Sequence, residues 1–331
     1  MTKSLRIFGY PIFWLLIIVL CAQTPSVAAA PLDLPCENPG WFPEDFGVKD
    51  HSIFWYDGYY YATGNYLPYE KKFAYARSLD LCTWEVLDPI LDERIPGTWD
   101  ELAVWAPYVY VEDGIYYLYY AGVTKVFTQS ILLATSTDPA NPESWVREEL
   151  LFQPNHTDSK WNDTGWADCR DPMVIKINGV YHLYYTAADE EGGIIGLATA
   201  ATPRGEWTDW GKIIPPIPTT MPESPTLYKH DHFYYLFYHP SGQGEVYRIG
   251  ASPTGPWLEP ESLIPGWAHE VWEAQDGITY TSYLTSYAIT ISPLNWNPYS
   301  YPPQPFIGTQ IYRIVLPIIF QEGTGDLDHE T

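Results

Sequence analysis

Five segments of this chain repeat one plan: a short apolar strand, a tight turn, and a second strand crowded with tyrosine. The turns read as Asp57-Gly58, Asp113-Gly114, Asn178-Gly179, His230-Asp231 and Asp276-Gly277. Asp-Gly and Asn-Gly between β-prone runs are strong hairpin signals, because both residues tolerate positive φ. The second turn residues, at 58, 114, 179, 231 and 277, lie 56, 65, 52 and 46 positions apart. A third strand and a further turn trail each pair, ending at Trp84, Trp145, Trp207, Trp257 and Trp296. No sustained helical period interrupts the series, which argues against βα units. Short strands at similar offsets in every unit predict an all-β fold, a five-bladed β-propeller of four-stranded antiparallel sheets around a central channel. The recurring indole is expected to pack between neighbouring sheets. Gln310 to Phe320 is expected to close the ring, so that no strand edge stays open.

Counting eight residues back from the second turn residue gives Asp50, Ala106, Asp171, Glu223 and His269. Side chains alternate along a strand, so five residues in one register should face one place, the channel mouth. Three of the five are carboxylates. Like charges in a partly desolvated pocket push their pKa values apart, so that one keeps its proton while another stays ionised. Cleavage of a glycosidic bond needs that pair: a protonated acid at the leaving oxygen and a carboxylate opposite. Strand alternation turns Glu270 away from the channel. The bland alternative is that the acids cap turns or hold a structural ion.

Other residues fall around this mouth. Trp105 precedes Ala106 and can stack on a sugar face or simply wall the pocket. His51 is a candidate ligand for a sugar hydroxyl, and Arg170 can bind a hydroxyl or hold Asp171 ionised. A polar insertion before Arg170 brings Trp161 and Trp166 as candidate sugar platforms, since loops on a rigid scaffold commonly carry specificity.

Residues 1–30 read as a cleaved export signal, with Lys3 and Arg6 ahead of an apolar run and an Ala-rich exit. They predict a secreted or periplasmic protein. Cys21 offers a lipoprotein anchor, but Leu20 before it is bulkier than such cleavage sites take. Residues 31–325 then form one catalytic domain, and 326–331 an acidic tail. Cys36, Cys82 and Cys169 allow one disulfide and leave one thiol, with the pairing open. A formal charge of −24 disfavours nucleic acid and anionic lipid as partners. A carbohydrate substrate meets no such barrier, and the chain is expected to act as a monomer. There is no phosphate-binding or dinucleotide loop in context and no cysteine pair at zinc spacing.

The repeat plan, with Lys49-Asp50, Arg170-Asp171-Pro172 and Pro222-Glu223-Ser224-Pro225, resembles glycoside hydrolase family 43, the inverting arabinanase and β-xylosidase group. The stretches 201–207 and 251–257 have the same look. The resemblance implies Asp50 as general base, Glu223 as general acid, and Asp171 as the group that tunes the acid and orients the sugar. It implies hydrolysis of α-L-arabinofuranosyl or β-D-xylosyl linkages. It also implies a channel cation, commonly calcium, near His269 and held mainly through water, with no organic cofactor. His51 departs from the family, which often has proline after its first aspartate. Arg170-Asp171-Pro172 is also similar to the retaining family 32 fructosidases, where the first-blade aspartate is the nucleophile. Their Asn-Asp-Pro-Asn motif is missing here. A carbohydrate-binding propeller without turnover is a further alternative.

Overall fold

The computed structural model describes residues 34, 36–263 and 266–308. The export signal, Cys21, the strand expected at Gln310 to Phe320 and the acidic tail lie outside them. Within them the chain is all-β. A two-residue strand β1 (Gly40–Trp41) precedes blade one, which is β2 (Val48–Tyr56), β3 (Tyr59–Tyr66), β4 (Phe73–Ser78) and β5 (Trp84–Val86). Blade two is β6 (Ala103–Glu112), β7 (Ile115–Val123), β8 (Gln129–Ser136) and β9 (Val146–Phe152). Blade three is β10 (Cys169–Ile177), β11 (Val180–Asp189), β12 (Gly192–Ala200) and β13 (Thr208–Lys212). Blade four is β14 (Pro222–His230), β15 (Phe233–Pro240), β16 (Val246–Gly250) and β17 (Glu261–Ser262). Blade five is β18 (Trp267–Glu273), β19 (Thr279–Thr285) and β20 (Ala288–Asn297), with β21 (Gln304–Ile307) on the far half of β20. All ladders within the blades are antiparallel and run in chain order.

Blade five takes its remaining strand from the other end of the chain: Gly40 and Trp41 pair with Thr290 and Ile289. Among the described residues, closure of the ring is therefore the work of β1, where the sequence pointed to a strand further on. Gly40 fits because its φ is +148° and an added Cβ would stand 2.2 Å from the Ile289 carbonyl oxygen. The Cys36–Cys82 disulfide and a Gly40 N–H to Leu81 O bond of 2.9 Å fasten the same segment to blade one. Cys169 is the buried free thiol.

The core is divided into five apolar clusters, one per seam between neighbouring blades. Trp84, Trp145, Trp207, Trp257 and Trp296 each join a different cluster, in every case at the seam with the preceding blade. Their recurrence in sequence is thus a packing requirement. Among the described residues no helix is long and apolar enough to cross a membrane.

Candidate active site

Each innermost strand enters the channel through a β-bulge carrying one non-glycine residue in the left-handed region. These are Asp50 (φ 45°), Ala106 (47°), Asp171 (54°), Ser224 (53°) and Ala268 (54°). Such a backbone costs on the order of 1–3 kcal/mol per residue and persists only where its surroundings enforce it. Proline follows in three blades (Pro107, Pro172, Pro225), so no N–H is left unpaired at the break in the ladder.

This corrects the register read from sequence. Glu223 and His269 are not level with Asp50 and Asp171. The fourth turn is Asp231-His232, and the fifth is a longer loop over 274–278, so the eight-residue count lands one position off in each case. Glu223 stands one level outward, with Lys49, Trp105, Arg170 and Trp267. His269 stands one level inward, with His51.

The outward level and the bulge level together form a cavity of ≈ 210 Å³, lined by all five outward residues and by Asp50, Asp171, Ser224 and Trp166. The three carboxylates of the sequence reading therefore do meet. Asp50 Oδ2 accepts from the Asn65 side-chain amide at 2.9 Å and lies 3.8 Å from Lys49 Nζ. Asn65 Oδ1 in turn accepts from the Ala106 N–H at 2.8 Å, so one amide locks blade one's acid to blade two. Asp171 Oδ2 accepts from Thr186 Oγ1 and from the Ser224 N–H, each at 2.9 Å. It thereby fixes the backbone next to Glu223. Arg170 donates to Glu223 Oε1 at 2.8 Å and stands 3.9 Å from Asp171 Oδ2.

Burial drives the Asp50 carboxyl upward, Lys49 pulls it back, and the charges of Asp171 and Glu223 add to the push, leaving it at about 7. Asp171 is also raised, by burial first, against the pull of Arg170. Burial opposes the charge on Arg170, but Asp171, Asp168 and Glu223 outweigh it and hold the guanidinium protonated.

Of the remaining sequence candidates, Trp105, Trp166 and Arg170 line the cavity and His51 and Trp161 do not. His51 is 4% exposed and faces the channel below, with Nε2 2.8 Å from Ser282 Oγ. Trp161 packs into the seam of blades two and three and donates its Nε1 to the Gln129 carbonyl at 2.7 Å. Sequence reasoning passed over Lys49, Asn65, Trp267 and Asp168. The first and third carry the register signal once the bulge level is known, being the neighbours of Asp50 and Ala268.

Beneath the bulges the channel narrows to a cavity of ≈ 30 Å³, where His51, His269 and Glu270 meet Thr226 and Tyr108. Glu270 is thus on the channel, contrary to simple alternation, because the bulge at Ala268 resets the strand. Calcium takes six to eight oxygen ligands. Among the described residues no three of His, Cys, Asp and Glu converge as a metal cluster. His269 Nδ1 is 2.8 Å from Thr281 Oγ1, and one Glu270 oxygen accepts from the Ile53 N–H at 3.2 Å. The chemistry proposed below uses no metal ion.

Residues 46–159 match the sequence model of glycosyl hydrolases family 43. Two curated relatives, the probable arabinan endo-1,5-alpha-L-arabinosidases C of Aspergillus flavus and Aspergillus oryzae, are each 26% identical over 167 residues. The matched stretch is 46% of this chain and spans half the length of those relatives. Among solved structures, a thermostable family-43 glycoside hydrolase superposes with a TM-score of 0.61 at 17% identity, over 80% of this chain and 94% of that one. An exo-1,5-alpha-L-arabinanase from a bovine ruminal metagenomic library gives 0.60 at 17%, over 81% and 100%. At these identities the structural likeness speaks for the fold.

Proposed function

We propose that this chain, whose residues 46–159 match the family model, acts as a family 43 glycosyl hydrolase and that its mouth hydrolyses a terminal or internal α-L-arabinofuranosyl linkage with inversion, a β-D-xylosyl linkage being the next choice. The observation that carries the reading is the meeting of Asp50, Asp171 and Glu223 in one cavity walled by indoles. The arabinan-directed names of the sequence relatives favour the furanoside.

In this reading Asp50 is the base. Its carboxylate takes a proton from water, and that water attacks the anomeric carbon from the face opposite the leaving group. Asn65 and Lys49 hold the carboxylate and favour its charged form. Glu223, 32% exposed at the rim, gives its proton to the departing oxygen. Asp171 holds the Ser224 backbone that positions Glu223, and with Arg170 it presents polar atoms to sugar hydroxyls. The disulfide supports passage through an oxidising compartment, in keeping with export.

General acid catalysis is worth about 10²- to 10⁴-fold and matters most when the leaving group is poor. Glu223→Ala should therefore lose that much on arabino-oligosaccharides and far less on activated aryl furanosides. Equal losses on both would remove Glu223 from the acid's role. Proton NMR of the first anomer released tests the stereochemistry. A retained anomer would point instead to Asp50 as nucleophile, as in the fructosidases, and sugar affinity without any released sugar would point to a binding propeller.

A further inference from the structure

Beside the cavity stands an aromatic shelf. Trp166 is 59% exposed and Phe127 44% exposed, and their rings stack with centroids 5.8 Å apart at 22°. Trp105, on the cavity wall, lies 6.5 Å from Trp166 at 46°. Large aromatics left this open beside a polar pocket offer a flat apolar surface to a sugar ring. The loop carrying Trp166 is pinned to blade two. Thr128 Oγ1 donates to the Gly165 carbonyl at 2.8 Å, and the Gln129 N–H donates to the Ala167 carbonyl at 3.0 Å.

Shelf and acid are joined through a single atom. Asp168 Oδ1 accepts from Trp166 Nε1 at 3.1 Å and also from an Arg170 guanidinium nitrogen in a charge-assisted bond. The other terminal nitrogen of Arg170 donates to Glu223 Oε1 at 2.8 Å. Gln129 Oε1, on a fully buried side chain, takes a second bond from Arg170 at 3.2 Å. The guanidinium fork is thus fixed from behind by Asp168 and Gln129 and aimed forward at the carboxyl of Glu223. A planar fork transmits position well, because turning one end turns the other.

We propose that Asp168 is a positioning residue that sets the Trp166 shelf and the Arg170–Glu223 contact together, so that a sugar ring stacked on Trp166 lies in register with the acid. The inference rests on the hydrolase reading above. Asp168 does not line the cavity, so it acts through Trp166 and Arg170. The ligand of the shelf is a neutral glycosyl unit of the same oligosaccharide, one ring away from the bond that breaks.

Asp168→Ala and Asp168→Asn should be compared with the unaltered protein on an arabino-oligosaccharide and on an activated aryl arabinofuranoside. Loss of alignment at Glu223 should lower kcat on the oligosaccharide by about 10- to 100-fold, a part of what general acid catalysis supplies. The aryl glycoside should lose less than about threefold, because its leaving group needs little protonation. KM for the oligosaccharide should rise with either Asp168→Ala or Trp166→Ala, and in Asp168→Ala KM for the aryl glycoside should stay. Asp168→Asn keeps an acceptor for the indole and guanidinium and should restore most of the KM. If the alanine variant fails to fold, Asp168→Asn carries the test through kcat: its neutral amide holds the guanidinium less firmly, so kcat should fall more on the oligosaccharide than on the aryl glycoside while KM is kept. Equal losses on both substrates, or no loss, would overturn the proposal. No turnover by the unaltered protein on either substrate overturns the hydrolase reading and this inference with it.

Discussion

Lys49 stands between two acids, 3.8 Å from Asp50 Oδ2 and 3.0 Å from Glu70 Oε1, and it is the main influence holding the Asp50 pKa down. Even so, burial leaves that carboxyl at about 7. A base must be ionised to work, so kcat/KM should fall as the pH drops through about 7, well above the usual carboxylate limb. Removing the cation takes away the pull that favours the charged form. In Lys49→Met the acid limb should therefore move to higher pH, with less change on the alkaline plateau. A pH profile of kcat/KM for both proteins checks the direction, and a limb that stays or moves down contradicts Asp50 as the base. Lys49 was not legible as a site residue, since a lysine ahead of a strand is usually solvated. Asp50, Asp171 and Glu223 were legible because an acid at the start of an aromatic strand needs a reason.

At the scale of the element, the inner strand of each blade was readable and its bulge was not. In blades one to three, Asp-Gly and Asn-Gly turns fix the distance from turn to mouth, and the eight-residue count reaches the left-handed residue. Blade four turns at Asp231-His232, with no glycine to mark it, and blade five spends extra residues in its loop. The count then slips by one and misplaces Glu223 and His269 by a level. The slip had little effect on the site's membership because adjacent levels open into the same cavity. The bulge itself makes a test possible at Ala106, which has φ 47° and is 6% exposed. Left-handed backbone costs an alanine about 1–2 kcal/mol, and a β-branched residue more, while overpacking adds about 1–3 kcal/mol. Ala106→Val should therefore lower stability by roughly 2–4 kcal/mol. Ala106→Gly relieves the strain but gives up a buried methyl, worth about 0.8 kcal/mol, and should stay within about 1 kcal/mol of the parent. Denaturant unfolding of the two variants separates a strained bulge from an ordinary strand position.

The described blades form a ring, and its stability depends on the seam where the first and last blades meet. The sequence announces five blades through its turns and indoles but says little about closure, because a two-residue strand carries no period. Gly40–Trp41 completes blade five, the Ile291 N–H donates to the Pro39 carbonyl at 3.0 Å, and Trp41 stacks on Trp84 of blade one at 6.1 Å. Cys36–Cys82 ties this clasp to blade one across 46 positions of sequence. A crosslink over a loop of that length restricts the unfolded chain by about 2–4 kcal/mol. For a domain of this size that corresponds to a melting temperature lower by roughly 3–7 °C in Cys36→Ser/Cys82→Ser. The loss should also be local before it is global. Amide exchange at Gly40 and Ile291 should quicken first, while the ladders of blade three keep their protection, since nothing in that blade touches the clasp. Exchange that quickens evenly around the ring would mean that the blades open together and that the clasp is only one contact among many. Asp50 lies on the blade fastened by the clasp and Glu223 does not. The same variant should therefore lose activity at temperatures below its melting point, as the seam loosens and the two carboxyls part.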